Sequence, residues 1–268
     1  LNSDFDILNE STVNVNAQNK KSVLSDFALD NKGNLFCLRN MTLEGAAPAV
    51  SLLYLSADGL EVVESSILNA TLLLDDIRLK VDNANGRVIL NSFYATTKKG
   101  NVEGIYSYIW DANAKKEITS NASRFTDAIR KAVSSKRNLK DAYDNFYFDK
   151  INIQADGSIV VVAEAAETNS NRNIFSRWDY FYGGPFYNPF MFSFWNRPFG
   201  FYPWARFGWG MSPFMWNPWM NPYAGFGYPS VMYNANKIAL IAIDTKGSIQ
   251  WVKTIDKKQS DMNVDQFI

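Results

Sequence analysis

Three pairs of carboxylates stand close enough along the chain to act together: Asp75 with Asp76, Glu164 with Glu167, and Asp141 with Asp144. Two carboxylates facing one another across a cleft, one kept protonated by burial, are the machinery of glycoside hydrolysis. All three pairs sit where strand-like runs end or the chain turns, and there Asp and Glu ordinarily shape turns and face solvent. That plainer role is the expected one. The run Asp82-Asn83-Ala84-Asn85-Gly86 has some of the oxygen density of a calcium loop, but Ala84 fills its third position and the distal glutamate is missing, so it reads as a turn. The sole cysteine, Cys37, lies in the alternating run Leu35-Phe36-Cys37-Leu38 and reads as a packed strand residue, not a nucleophile. Histidine is absent, which removes the usual general base and the commonest metal ligand. No glycine-rich phosphate loop, Cys/His metal spacing or Ser–His pair occurs. The residues name no reaction. The expectation is a protein that is not an enzyme, with no catalytic residues, no metal site and no cofactor.

What stands out instead is a stretch from Trp178 to Tyr233. It holds eight of the nine prolines and six of the eight tryptophans, and its only charges are Asp179, Arg197 and Arg206. A short unit recurs in it: Asn188-Pro189-Phe190-Met191, Ser212-Pro213-Phe214-Met215, Asn217-Pro218-Trp219-Met220 and Asn221-Pro222-Tyr223. Asn-Pro and Ser-Pro initiate turns, and proline pushes the residue before it towards extended backbone. A chain of turns and short extended pieces follows. Residues Phe207 to Asn236 carry no charge, long enough for a membrane-spanning helix. Pro213, Pro218, Pro222 and Pro229 each remove a helical hydrogen bond, however, and irregular backbone facing lipid is costly. No transmembrane helix is expected; burial against protein or peripheral contact at a membrane interface, which suits Trp and Tyr, is.

The scaffold shows in a repeat. Strand, tight turn, strand recurs at Phe27–Leu38, Leu52–Val63, Ile77–Leu90, Ile151–Val161 and Leu240–Trp251, with a degenerate copy at Tyr106–Lys115. An Asp or Asn just before Gly supplies the positive φ that a hairpin turn demands, and the flanks alternate as half-buried strands do. Gly33 to Gly59 is about 26 residues and Gly86 to the Asn113 turn about 27, so two hairpins make a four-stranded unit of roughly 45–50 residues, the size of a propeller blade. Gly157 to Gly247 is about 90 residues, and removing about 60 around Trp178–Tyr233 restores the spacing. The predicted fold is therefore all-β: a propeller-like repeat of four-stranded antiparallel sheets spanning 1–268 as a single domain. Residues 171–234 form an aromatic, Pro/Gly-rich insertion between the hairpins of the third unit. Three units are too few to close a propeller, so either the chain is part of a longer protein or the sheets stack as an open array or sandwich. Leu1 to Lys21, polar and rich in Asn, reads as an edge strand or connector.

One helix interrupts the strands near Arg124–Val133, with Ser123 as its cap and Phe125, Ile129 and Val133 as an apolar stripe. The basic residues around it, Arg124, Arg130, Lys131, Lys136, Arg137 and Lys140, read as a solvated face. Net charge is zero and pI near 6.6, which gives no electrostatic case for nucleic acid.

The segment Asp149–Glu164, with its Asp-Gly turn and "V-A-E" strand, resembles propeller-like repeat proteins of the Gram-negative bacterial cell envelope. Ile243–Gln259 is similar to the same family's "G-x-I-x-W-x-K-x-I-x-K-x-Q" strand pair. The resemblance covers about a third of the chain. It implies an exported protein of the periplasm or outer-membrane surface, and the long insertion departs from its pattern. The chain's start at Leu1 without an initiating Met fits a processed protein. Three roles are open for the insertion. It docks to a protein partner in a membrane-associated assembly, it forms a platform for sugar or lipid headgroups, or it folds back as extra core. Trp, Tyr and Arg dominate interface hot spots and Met adapts to irregular surfaces, while side chains that read sugar hydroxyls are scarce, so docking leads. The partner-binding candidates are Trp195, Phe199, Trp204, Arg206, Trp209, Trp216, Trp219 and Tyr223.

Overall fold

The computed structural model describes residues 12, 22–41, 49–67, 72–97, 100–134, 138–170 and 231–262. Each hairpin expected from the sequence is present. β1 (Ser22–Leu29), β2 (Leu35–Met41), β3 (Ala49–Leu55) and β4 (Val62–Ile67) form one four-stranded antiparallel meander in chain order. A second is built by β5 (Leu73–Asp82), β6 (Arg87–Ala95), β7 (Gly104–Asp111) and β8 (Lys116–Arg124). After α1 (Asp127–Val133), a third follows from β9 (Phe146–Ile153), β10 (Ile159–Ser170), β11 (Val231–Ile243) and β12 (Ile249–Met262). The fold is all-β.

The turns explain the glycines. Gly33, Gly59, Gly86, Gly157 and Gly247 all have φ between 62° and 85°, where a Cβ is strained. In the hairpins at Gly33 and Gly247, the preceding aspartate also ties the loop. Asp30 Oδ1 accepts from the backbone N–H of Lys32 and Asn34, and Asp244 Oδ1 from Lys246 and Ser248. Two turns carry a second constraint. A Cβ on Gly157 would come within 2.2 Å of the Arg87 guanidinium, and one on Gly247 within 2.9 Å of Ser107. The turns of the third sheet are thus pressed against the second, and Asn121 and Ser123 donate hydrogen bonds to the Gly247 carbonyl.

The sheets lie in a row with the second in the middle. Val88, Leu90, Tyr106, Tyr108 and Trp110 of β6 and β7 pack against Phe36, Leu38, Leu52 and Tyr54 of the first sheet. The alternate residues Ile89, Phe93, Ile105 and Ile109 pack against Phe148, Ile151, Ile159, Val161, Ala239 and Ile241 of the third. Among the described residues no core cluster joins first to third, so the row does not close. Cys37 is buried on the face of β2 opposite Phe36 and Leu38, and burial pushes its thiol up to about 11.

The helix differs from expectation in two ways. Thr126, not Ser123, caps it: Thr126 Oγ1 accepts from the Ile129 N–H, and α1 starts at Asp127. Ser123 stays in β8 because the ladder to β7 runs on to Gly104↔Arg124. The basic residues are also not one solvated face. Arg130 is buried, and its guanidinium donates to five carbonyls, those of Val102, Glu103, Phe125, Leu139 and Lys140. Arg124 lies in β8, while Lys136 and Arg137, like Leu1–Lys21 apart from Thr12, fall outside the described residues. Phe125 and Val133 are buried and Ile129 packs beside them, as the stripe predicted.

Arg130 knits the β6–β7 connection, the start of α1 and the loop into β9. Arg130→Met keeps the stem and strands those carbonyls in the interior, where each lost partner costs about 1–3 kcal/mol. Chemical unfolding of Arg130→Met is expected to show a loss of at least about 3 kcal/mol, and Arg130→Lys, with one ammonium for a forked guanidinium, an intermediate loss.

Candidate functional site

The eight residues put forward for partner binding, Trp195, Phe199, Trp204, Arg206, Trp209, Trp216, Trp219 and Tyr223, all lie outside the described residues. Their root is described. β10 and β11 are neighbours in the third sheet and pair antiparallel from Ile159↔Ile243 to Ser170↔Val231. Residues 171–230 therefore connect one cross-strand pair, and Val231–Asn234, read from sequence as part of the insertion, belong to β11. α1 packs on the same sheet at the level of the Ala165↔Lys237 pair, several residues from this root. Lys237 Nζ donates to the Val133 carbonyl at 3.0 Å and Thr254 Oγ1 to that of Ala132 at 3.2 Å, supplying donors and a positive charge at the helix C-terminus.

A second feature was not read from the sequence. The first strand of every sheet carries a bulge at an aspartate. Register shifts between Ser25 and Ala28 in β1, between Asp75 and Arg78 in β5, and opposite Val162/Ala163 in β9 leave Asp26, Asp76 and Asp149 at the irregular positions. Asp26 and Asp76 both have φ of 52°, left-handed backbone that Asp tolerates better than most residues. Asp75 and Asp76 are thus inside a strand, not at its end as expected. Asp76 is deeply buried. Its carboxylate bonds Arg78 Nε at 3.1 Å and accepts the Phe148 N–H of β9, while Arg78 Nη2 donates to the Phe148 carbonyl at 2.8 Å. Burial raises Asp76 above the ordinary carboxylate range, against the pull of Arg78 and the Phe148 amide. Asp26 is pushed up to about 6, chiefly by burial, with Ser25 and Arg78 lowering it and Asp76 raising it.

Perturbed carboxylates often mark active sites. The bonds of Asp76 run to the strand backbone next door and pin β5 to β9, while Asp26 sits between β1 and β5 near Arg78. The other carboxylate pairs are used likewise. Glu164 is ion-paired to Lys257, and Asp144 accepts from the Val102 N–H. Asp82 accepts from Asn85 and Arg87 in the turn expected at 82–86. Among the described residues no three His, Cys, Asp or Glu cluster to hold a metal, and no helix is long and apolar enough to cross a membrane.

At the hairpin end of the row a cleft of about 570 Å³ opens between the turns of the first two sheets. Its polar groups largely satisfy one another. Asn31 N–H donates to Asn83 Oδ1 at 2.7 Å, Lys32 Nζ to Asn113 Oδ1 at 3.0 Å, and Lys115 is ion-paired to Glu61 while lying over the Tyr54 ring. It reads as the seam where turns interlock.

Because the folded-state pKa of Asp26 stands near 6 against an ordinary 3.8, the folded protein holds this proton more tightly than the unfolded chain. Its ionisation erodes stability as pH rises from about 4 to 6, and the full cost remains above that window. Asn accepts the same backbone without ionising. Asp26→Asn is expected to match the parent near pH 4 and exceed it by on the order of 1–3 kcal/mol at pH 7, read from unfolding curves across that range. No protein-family model matches the chain, and no curated protein matches it.

Proposed function

We propose that this chain is a non-enzymatic, propeller-like envelope protein that docks to a protein partner in an outer-membrane-associated assembly through its aromatic arm. The observation that carries the reading is the pairing of Ser170 with Val231, by which the sixty residues 171–230 connect two adjacent strands of one sheet. A connection so placed can bear a large apolar surface while the core beneath is completed by other residues, as the clusters around Ile159, Val161 and Ile241 are. Apolar surface of this extent, outside a core, marks interaction sites.

The propeller-like arrangement is supported by the in-order meander of each sheet and by contacts of β1 with β5 and β5 with β9, which set successive first strands side by side as blades around an axis do. The envelope setting, with export to the periplasm or outer-membrane surface, rests on the resemblance of Asp149–Glu164 and Ile243–Gln259. The second reading, a platform for sugar or lipid headgroups, draws on the alternation of rings with Asn and Gly in the arm.

Trp204, Trp209, Trp216 and Trp219 lie in the charge-poor middle of the arm, furthest in sequence from its roots. An interface anchor truncated to Ala typically costs at least ~2 kcal/mol of binding. Trp204→Ala/Trp209→Ala and Trp216→Ala/Trp219→Ala are expected to release the partner from detergent-solubilised envelope while unfolding free energy stays within about 1 kcal/mol of the parent. Loss of glycan or lipid retention with the protein complex intact would favour the platform. A drop of several kcal/mol in fold stability would make the rings core.

A further inference from the structure

The two internal sheet–sheet contacts use matching positions. Counting from the glycine of each sheet's first turn, the third residue onward faces the next sheet: Phe36 and then Leu38 after Gly33, Ile89 after Gly86, all 0% exposed. After Gly157 the same positions are Val160 and Val162. These point away from the second sheet, since Ile159, Val161 and Ala163 face it, and no described sheet lies on them. Their cross-strand neighbours on the same face are Ala242 and Leu240, then Trp251 and Lys253. Ile238 and Ile255 continue it level with Glu164, which is ion-paired to Lys257. Trp251 is 43% exposed and Ile255 50% exposed, whereas on the fourth strand of the first sheet Val63 packs into the core and Ser65 bonds Tyr108 of the second sheet. The opposite end of the row is different: Cys37 and Leu53, on the face of the first sheet turned from the second, are 1% exposed.

The bulged aspartates tell the same story independently. Asp26 lies beside β5 and Asp76 grips the backbone of β9, so each reaches the first strand of the following sheet. Asp149, at the matching bulge of the last sheet, is exposed, with Lys150 next to it.

We propose that the outward face of the third sheet is a self-association surface, on which a second copy of this chain seats the same face about a two-fold axis crossing the strands. That placement lays β9 on the partner copy's β9, continuing the β1–β5–β9 neighbour relation, and brings each Asp149 to the other copy's Lys150. The apolar centre is Val160, Val162, Leu240 and Ile238, with Trp251 under Lys253 at the rim, 5.4 Å from ring centre to Nζ. Strands of 8 to 14 residues give a four-strand face of roughly 500–900 Å² at ~3.3 Å per residue and ~4.8 Å between strands, the scale of one side of a standard interface, about 800 Å². The proposal does not depend on the aromatic arm or on its partner.

Sedimentation velocity of the purified full chain, from low micromolar upward, tests it. A concentration-dependent dimer is expected. Val162→Glu and Trp251→Ser should each weaken it at least tenfold while leaving the dilute-protein melting temperature and circular dichroism unchanged; Trp251 is exposed, so its variant stays informative if Val162→Glu misfolds. Asp149→Lys should weaken the dimer, and adding Lys150→Asp should restore it. A chain that stays monomeric at every concentration overturns the proposal. So does a dimer indifferent to all these changes, which would run through another surface, and loss without rescue by the charge exchange overturns the β9-on-β9 geometry.

Discussion

The structure depends on one constraint: the middle sheet is apolar on both faces. Along β6, Val88, Ile89 and Leu90 are all essentially inaccessible, and β7 runs buried from Gly104 to Trp110. A sheet with one wet face alternates, but these strands do not, so each face must be covered or their apolar area stays in water at roughly 25 cal/mol per Å². The first and third sheets supply the covers. Trp110, wedged against Phe36 and Tyr54, and Phe93, 4.2 Å from Phe148 between ring centres, are the largest contributions to either side. Everything else about the row, including its order, follows from a sheet that cannot end the stack.

Polar groups then fix how the covers sit. Apolar contact is tolerant of sliding, but a bulged carboxylate gripping one backbone amide is not. Asp76 and Arg78 together take both the N–H and the carbonyl of Phe148, and Asn121 and Ser123 hold the Gly247 turn from the other edge. Arg87, ion-paired to Asp82 at 2.8 Å, also reaches the Gly157 carbonyl at 3.1 Å. The third sheet is therefore held on the second at three separate places. The left-handed backbone at Asp26 and Asp76 is the local strain that this aim requires.

What the sequence made legible was local. A turn needing positive φ leaves a glycine, and the spacing of Gly33, Gly59, Gly86, Gly157 and Gly247 yields the hairpins, the four-stranded unit and the place of the insertion. A bulge leaves no such mark. Nothing in the sequence marks Asp26 or Asp76 as bulged, because an extra residue on one strand is defined only against its partner. The repeat offered a faint signal, an acid seven to ten residues before each first-hairpin glycine. Arg130 was hidden for a similar reason, since charge patterning averages over a helix and cannot show that one guanidinium has turned inward. Ser123 misled because capping propensity competes with a strand ladder, and the ladder from Gly104 won. For the partner-binding candidates in the arm, sequence remains the whole argument.

The meander also divides the fold into two ends with different duties. Turns between first and second strands, and between third and fourth, fall on one end; all carry tight loops, and there the polar groups of neighbouring sheets interlock. Connections between second and third strands, and from sheet to sheet, fall on the other. That end holds the β6–β7 loop, α1 with its following turns, and the strand ends Met41, Ala49, Ser170 and Val231 between which the longer connections run. A tight hairpin fixes strand register by its own geometry, so lengthening it would let every side chain beyond it change face. At the other end register is already set by the hairpins on either side, and lengthening a loop from about ten residues to sixty costs only ~1.6 kcal/mol more in closure entropy, at about 0.6 per doubling. The sixty-residue connection falls at the end where this fold can carry one, in the sheet whose β11 and β12 anchor the C-terminus of α1 through Lys237 and Thr254.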